Sequence, residues 1–200
     1  MTHVEEGLRL TGTLHPETGD PQEMLRKGFS MSEFPFLENG IWQIAVIVED
    51  LDRAVERYWK LFGIGPWQFY TYGKPLVRRM TYRGKPGEYK MRLALSRIGP
   101  LRLELIEVLE GDTIYADFVR EHGYGVHHLG VLVEDMEVAI AQAKAGGLTV
   151  TQDGAGYGLN DDGHYAYLDT EDKIGVALEL IQPPRRKAQP EKVYPPANDA

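Results

Sequence analysis

The sequence predicts an α+β fold of two βαβββ modules in tandem, their sheets facing one shared cleft. Three observations carry this. Ile44-Ala45-Val46-Ile47-Val48-Glu49-Asp50-Leu51 returns 85 positions on (44 to 129) as Leu129-Gly130-Val131-Leu132-Val133-Glu134-Asp135-Met136. Leu103-Glu104-Leu105-Ile106 returns 75 positions on (103 to 178) as Leu178-Glu179-Leu180-Ile181. The two words keep their order in both halves, which marks a duplicated supersecondary unit.

Each unit reads alike from its first strand onward. The β-branched run 43–48 ends at Glu49-Asp50, where an acidic residue caps a helix and suits its positive end. Leu51, Val55, Tyr58 and Phe62 then recur at helical spacing until Gly63. In the second copy Met136, Ile140 and Ala143 do the same until Gly146-Gly147. Strands are expected over 67–72, 76–83, 89–97 and 101–107, and again over 148–152, 163–169 and 175–182. Gly84-Lys85-Pro86-Gly87 adds a hairpin arm to the first copy, and Gly154-Ala155-Gly156-Tyr157-Gly158 is expected as a flexible lid. Residues 112–122 predict a linking helix with Asp112 as N-cap.

The chain therefore divides into an N-terminal arm (1–38), a first module (39–111), a linking helix (112–124), a second module (125–184) and a Pro-rich tail (185–200) expected to be extended or disordered. Phe29, Met31, Phe34, Phe36 and Leu37 make the arm too apolar for a free tail. It is expected to pack on its own core or on the partner in a homodimer.

Composition narrows the chemistry. The 200 residues are 42% hydrophobic and 26% charged, ordinary for a soluble globular protein. A net charge of −8 counts against a nucleic-acid backbone binder. The start, MTHVEEGLRLTG, lacks the basic flank and apolar core of a signal peptide, and no apolar run approaches the ~18 residues of a membrane span. A cytoplasmic location is the expectation. With no cysteine, thiolate metal sites and cysteine nucleophiles are excluded, so any metal is held by oxygen and imidazole.

Strand alternation locates the candidates. In 101–107, Leu101, Leu103 and Leu105 share one face, and Arg102, Glu104 and Ile106 the other. In 176–181, Glu179 lies with Ala177 and Ile181, opposite Leu178 and Leu180. Gln43 and His128 hold equivalent places at the start of each module's first strand. Under pseudo-twofold symmetry Gln43, Glu104, His128 and Glu179 converge in the cleft, one amide, one imidazole and two carboxylates suited to a divalent cation. His127 should face away from His128 and serve packing, and His164 reads as a turn residue. Tyr70 and Tyr72 alternate against the helix-packing Trp67 and Phe69, and are candidates for a substrate wall.

The words Gln43-Ile-Ala-Val-Ile-Val-Glu-Asp-Leu, Gly125-Val-His-His128-Leu-Gly-Val-Leu-Val-Glu-Asp-Met and Leu-Glu179-Leu-Ile, in paired βαβββ order, resemble the vicinal oxygen chelate superfamily over roughly residues 40–183. That superfamily includes glyoxalase I, methylmalonyl-CoA epimerase, extradiol dioxygenases and antibiotic-resistance proteins. The resemblance implies a metal site at Gln43, Glu104, His128 and Glu179, a set similar to that of some zinc-dependent glyoxalase I enzymes. It implies zinc, nickel, cobalt or manganese as cofactor. The activity implied is isomerase, epimerase or lyase action on a proton beside the carbonyl of a small oxo compound or thioester. Glu179 is the first choice for the base and Glu104 the second. The alternatives are a sequestering protein for a hydrophobic or aromatic small molecule, and an iron-dependent extradiol-type dioxygenase.

Overall fold

The β-branched run after Trp42 forms β1 (Gln43–Ile47), and Asp50 turns the chain into α1 (Leu51–Phe62), its carboxylate accepting from the Arg53 amide at 2.9 Å. Gly63 closes that helix at φ 65°, a left-handed conformation that glycine adopts without a Cβ clash. The chain continues through β2 (Trp67–Tyr72), a small hairpin of β3 (Arg79–Tyr82) and β4 (Lys85–Pro86), and the long strands β5 (Lys90–Ile98) and β6 (Leu101–Glu110). This computed structural model describes residues 34–196. The earlier part of the N-terminal arm, with Phe29 and Met31, lies outside the described residues. Phe36, just after it, is buried in the apolar core formed by the second module.

Helix α2 (Ile114–His122) links the copies. Its N-cap is Thr113 rather than the expected Asp112, because the Thr113 hydroxyl accepts from the Ala116 amide at 3.0 Å. The second copy runs through β7 (Gly125–Leu132), α3 (Met136–Ala145), β8 (Val150–Tyr157), β9 (Gly163–Leu168), the one-turn α4 (Glu171–Ile174) and β10 (Ala177–Gln182). Asp135 caps α3 as Asp50 caps α1, accepting from the Val138 amide at 3.1 Å. A last strand, β11 (Lys192–Tyr194), comes from the Pro-rich tail. No helix among the described residues is long and apolar enough to cross a membrane.

The strands form one sheet in the order β11-β2-β5-β6-β1-β7-β10-β9-β8-β3-β4. At its centre β1 and β7 pair antiparallel, β6 runs parallel beside β1, and β10 runs parallel beside β7. The four strands nearest the seam on each side repeat the same order, so the seam between β1 and β7 carries the pseudo-twofold relation that the repeated words require. Helices α1 and α3 cover one face, Leu51 and Val55 packing with Leu103 and Leu105, and Met136 and Ile140 with Leu178 and Leu180. The sheet rolls about its other face, since Tyr72 of β2 reaches Tyr157 of β8 at 5.2 Å between ring centroids. The hairpin arm crosses to the second module, where β3 pairs with β8 and Asp153 accepts from Thr81 and Arg79 at 3.0 and 3.2 Å.

Two expectations are corrected here. The glycine-rich stretch 154–158 is not a lid but mostly part of β8; a Cβ on Gly154 would stand 2.2 Å from the Tyr165 ring, so the glycine makes room for packing. His164 is not in a turn but buried in β9, its Nε2 3.6 Å from Asp153. The tail is tied down as well. The strand β11 pairs with β2, and Glu191 accepts from the Thr71 amide and hydroxyl at 2.8 and 2.9 Å. Truncation after Gln189 removes these ladder bonds and is expected to lower stability by about 1–3 kcal/mol. Urea denaturation of the truncated and full chains measures this.

Candidate metal centre

The four sequence-predicted polar residues meet where the modules join. Gln43 starts β1 and His128 lies inside β7, while Glu104 and Glu179 lie on the parallel neighbours β6 and β10. Ala45 is the register partner of both Glu104 and His128, and Gly130 of both Gln43 and Glu179. These two small residues are themselves repeat-equivalent. Each leaves open the space above its strand, so the larger side chains on either side can reach one another. A Cβ on Gly130 would stand 2.9 Å from Gln43 Cβ and 3.3 Å from Glu179 Oε2.

All four side chains are buried. His128 Nε2 lies 3.4 Å from Glu104 Oε2 and 3.2 Å from Glu179 Oε2. Metal bonds of about 2.0–2.2 Å put neighbouring ligand atoms roughly 3.0–3.5 Å apart around a tetrahedral or octahedral ion, so each carboxylate oxygen can share a coordination sphere with the His128 nitrogen. Two carboxylates also cancel the charge of a divalent ion, which such burial demands. Gln43 behaves differently in this conformation. Its Nε2 donates to Glu104 and Glu179, both at 2.8 Å, while its Oε1 accepts from Arg102 Nε. Presenting Oε1 to an ion requires the amide to turn and give up Arg102.

His127 is where strand alternation misleads. The register slips between Ala45 and Val46: Ala45 opposes His128 and Val46 opposes Val126, leaving His127 as the extra residue of a β-bulge. The bulge brings His127 beside its neighbour, Nδ1 to Nδ1 at 2.9 Å, instead of sending it to the opposite face. Burial, and then the charge on His128, push the His127 pKa well below its ordinary value, so His127 is neutral and accepts. His128 thus donates through Nδ1 and keeps Nε2 for the carboxylates or an ion, the orienting arrangement that histidine ligands need. Burial opposes charge on His128, but Glu179 and Glu104 outweigh it and raise its pKa to about 9.

The two carboxylates are held unequally. Tyr115 donates to Tyr167 at 2.7 Å, and Tyr167 donates to Glu179 Oε1 at 2.9 Å, so both oxygens of Glu179 are engaged. Glu104 Oε1 has no such partner among the described residues, and Glu104 lines a cavity enclosing about 810 Å³ with its open mouth. Tyr70 and Tyr72 line the same cavity, together with Tyr157, Tyr165 and Tyr167. Burial raises the pKa of Tyr72, so its phenol stays neutral. Tyr165 and Tyr167 alternate with Ala166 in the sequence, but that Tyr167 meets Glu179 depends on the pairing of β9 with β10.

Two outcomes follow from this geometry. Gly130→Val fills the gap between Gln43 and Glu179 and is expected to weaken retention of a divalent ion by about tenfold or more, the scale seen when ligand positioning is lost. Elemental analysis, with circular dichroism as the folding control, reads this. The second concerns pH. In metal-free protein the His128 pKa is about 9 against 6.5 for the free side chain. Its stabilising contribution is therefore complete below pH 6.5 and lost as pH rises through about 9. Denaturation of chelator-treated protein should show that fall, and His128→Gln should diminish it.

A sequence model described as the Glyoxalase/Bleomycin resistance protein/Dioxygenase superfamily matches residues 42–168. A search of curated proteins gave no match. Among solved structures, methylmalonyl-CoA epimerase from Mycobacterium tuberculosis aligns with a TM-score of 0.55 at 20% identity, over 72% of this chain and 88% of that one. The Streptomyces coelicolor methylmalonyl-CoA epimerase in complex with 2-nitronate-propionyl-CoA gives 0.54 at 23% identity, over 74% and 96%. These are likenesses of fold. The family model covers more than half of the sequence, and the chain belongs to the glyoxalase, bleomycin resistance protein and dioxygenase superfamily.

Proposed function

We propose that the protein is a divalent-metal-dependent isomerase, epimerase or lyase, acting on a proton beside the carbonyl of a small oxo compound or thioester. The observation that carries this is the buried cluster of Glu104, His128 and Glu179, whose ligand atoms lie within 4.8 Å of one another, with Glu104 and Glu179 lining a cavity. Glu104, His128 and Glu179 would hold zinc, nickel, cobalt or manganese, with Gln43 as a fourth donor once its amide turns. Such an ion supplies Lewis acidity to a carbonyl oxygen and so acidifies the adjacent carbon.

The protein's own groups divide the remaining work. Glu104, with one oxygen unshared, is suited to take the proton and return it to the same or the neighbouring carbon. Glu179, fixed by Tyr167 and Gln43, suits a ligand that stays in place. This reverses the order assigned from sequence, for a reason alternation cannot carry: equivalent strand positions received different neighbours. Glu104 and Glu179 are the two carboxylates lining the cavity among the described residues, and β5 contributes Met91, Leu93 and Leu95 there. Chemistry that needs a base on each side of the substrate would use this pair. Tyr70, Tyr72, Tyr157 and Tyr165 limit water around the reacting carbon.

The tyrosine-rich wall also suits a sequestering protein for an aromatic compound. An extradiol-type dioxygenase has weaker support, since among the described residues the cluster offers one imidazole and His127 turns to His128 rather than to the carboxylates. One experiment separates these readings. The metal-loaded protein is incubated in D₂O with 2-oxo aldehyde–thiol adducts, 2-substituted malonyl thioesters and aromatic 2-oxo acids, and mass spectrometry reports deuterium beside the carbonyl. Metal-dependent exchange is expected, reduced about 10²–10⁴-fold in Glu104→Gln. Glu179→Gln should act chiefly through lost metal, so metal content is measured alongside. Binding without exchange would favour sequestration, and oxygen uptake with iron would favour the dioxygenase.

A further inference from the structure

Three cations gather at one side of the cavity mouth. Arg97 and Arg102 are cross-strand partners on β5 and β6, and the tail brings Lys187 to the same place. Arg102 and Lys187 line both the cavity that holds Glu104 and Glu179 and an adjoining hollow that includes Arg97 and Trp42. Like charges directly opposite on a sheet repel. In a chain of net charge −8 such cations usually find carboxylates, yet among the described residues none of the three forms an ion pair. Their partners are neutral. Arg97 donates to the Pro100 carbonyl at 3.2 Å, Arg102 donates to Gln43 Oε1, and both guanidinium groups lie over Trp42, at 5.9 and 4.0 Å from its centroid. Burial, then Arg102 and Arg97, lower the Lys187 pKa, so the three charges feel one another.

We propose that Arg97, Arg102 and Lys187 form an oxyanion subsite, taking a carboxylate or phosphate carried by the same ligand whose carbonyl reaches the Glu104–His128–Glu179 cluster. The subsite stands on its own geometry, and its link to the ligand's carbonyl rests on the metal-site reading above. The two sites are close: Arg102 holds the oxygen of the Gln43 amide whose nitrogen holds both carboxylates. Only Nε of Arg102 is engaged by Gln43, which leaves its terminal nitrogens for a forked contact with an oxyanion. Stacking on Trp42 fixes the plane of that fork. The subsite also answers an electrostatic need. A ligand with its own negative group is repelled by Glu104 and Glu179 unless cations face that group. The substrate class is thereby narrowed to short anionic carbonyl compounds, or to thioesters with an acidic group near the reacting carbon.

Two measurements separate the subsite from the metal. Inorganic phosphate is titrated calorimetrically into chelator-treated protein at low ionic strength. Wild type is expected to bind it, and the Arg97→Gln/Lys187→Gln double variant to bind roughly tenfold or more weakly. Both positions are exposed, and the unfolding midpoint checks that the variant is folded. No binding by wild type, or equal binding by the variant, overturns the proposal. Zinc-loaded protein is then titrated with acetohydroxamate and with succinic monohydroxamate, which has the same chelating group plus a carboxylate. The carboxylated probe is expected to bind wild type roughly tenfold tighter, with the advantage lost in the double variant. Equal affinity for the two probes with zinc bound overturns the shared ligand and so the proposal. If neither probe depends on zinc while phosphate binding still follows Arg97 and Lys187, the metal reading fails and the oxyanion subsite is upheld.

Discussion

Glu104 and Glu179 are buried within reach of each other, and two carboxylates in a protein interior repel unless positive charge faces both. Much of the site answers that constraint. His128 stands between them and holds its proton up to about pH 9. Gln43 donates one amide group to both, and Arg102 holds the oxygen that would otherwise point at them. The proton on His128 thus offsets one of the two carboxylate charges, and a divalent ion in its place would offset both. Binding an ion then means exchanging one cation for another, which is less demanding than charging an apolar pocket.

The fold meets the constraint through its seam. Because β1 and β7 pair antiparallel at the pseudo-twofold, the first and last strands of both modules lie side by side, and four polar side chains rise from four adjacent strands. Bringing them together needs small residues between them, and Ala45 and Gly130 fill those equivalent places. Symmetry then gives way where orientation matters. The bulge in β7 adds His127 beside His128, whereas Trp42, at the equivalent place before Gln43, lies under Arg102. A ligand imidazole needs its second nitrogen fixed, whereas an amide does not, so only one module carries the device.

Divergence between the modules makes the cleft one-sided. The hairpin arm of the first module closes over β8 of the second, with Tyr89 donating to the Asp153 carbonyl at 3.0 Å. Tyr167 of β9 donates to Glu179 and holds it, while Glu104 shares the cavity wall with Met91 and Leu93. On that side stand Arg97 and Arg102, and the tail passes there carrying Lys187. Two carboxylates that are equivalent in the repeat therefore differ in freedom and in electrostatic surroundings, which is how a duplicated scaffold can assign them different tasks.

Properties that repeat within a short window were legible in the sequence. The doubled words gave the two modules, Asp50 and Asp135 announced their helices, and period-2 alternation set Glu104 and Glu179 on the face away from the helices. From these the meeting of Gln43, Glu104, His128 and Glu179 follows by symmetry. What depended on pairing between distant strands was hidden. The bulge that reorients His127 exists only because β7 pairs with β1, and the order of β11 beside β2 brings a proline-rich tail into the sheet. The glycines read as a lid are spaces for Tyr165 and other neighbours. Local periodicity fixes which face a side chain takes, but register, bulges and the partners it meets there come from contacts between segments far apart in the chain, and tertiary structure alone decides those.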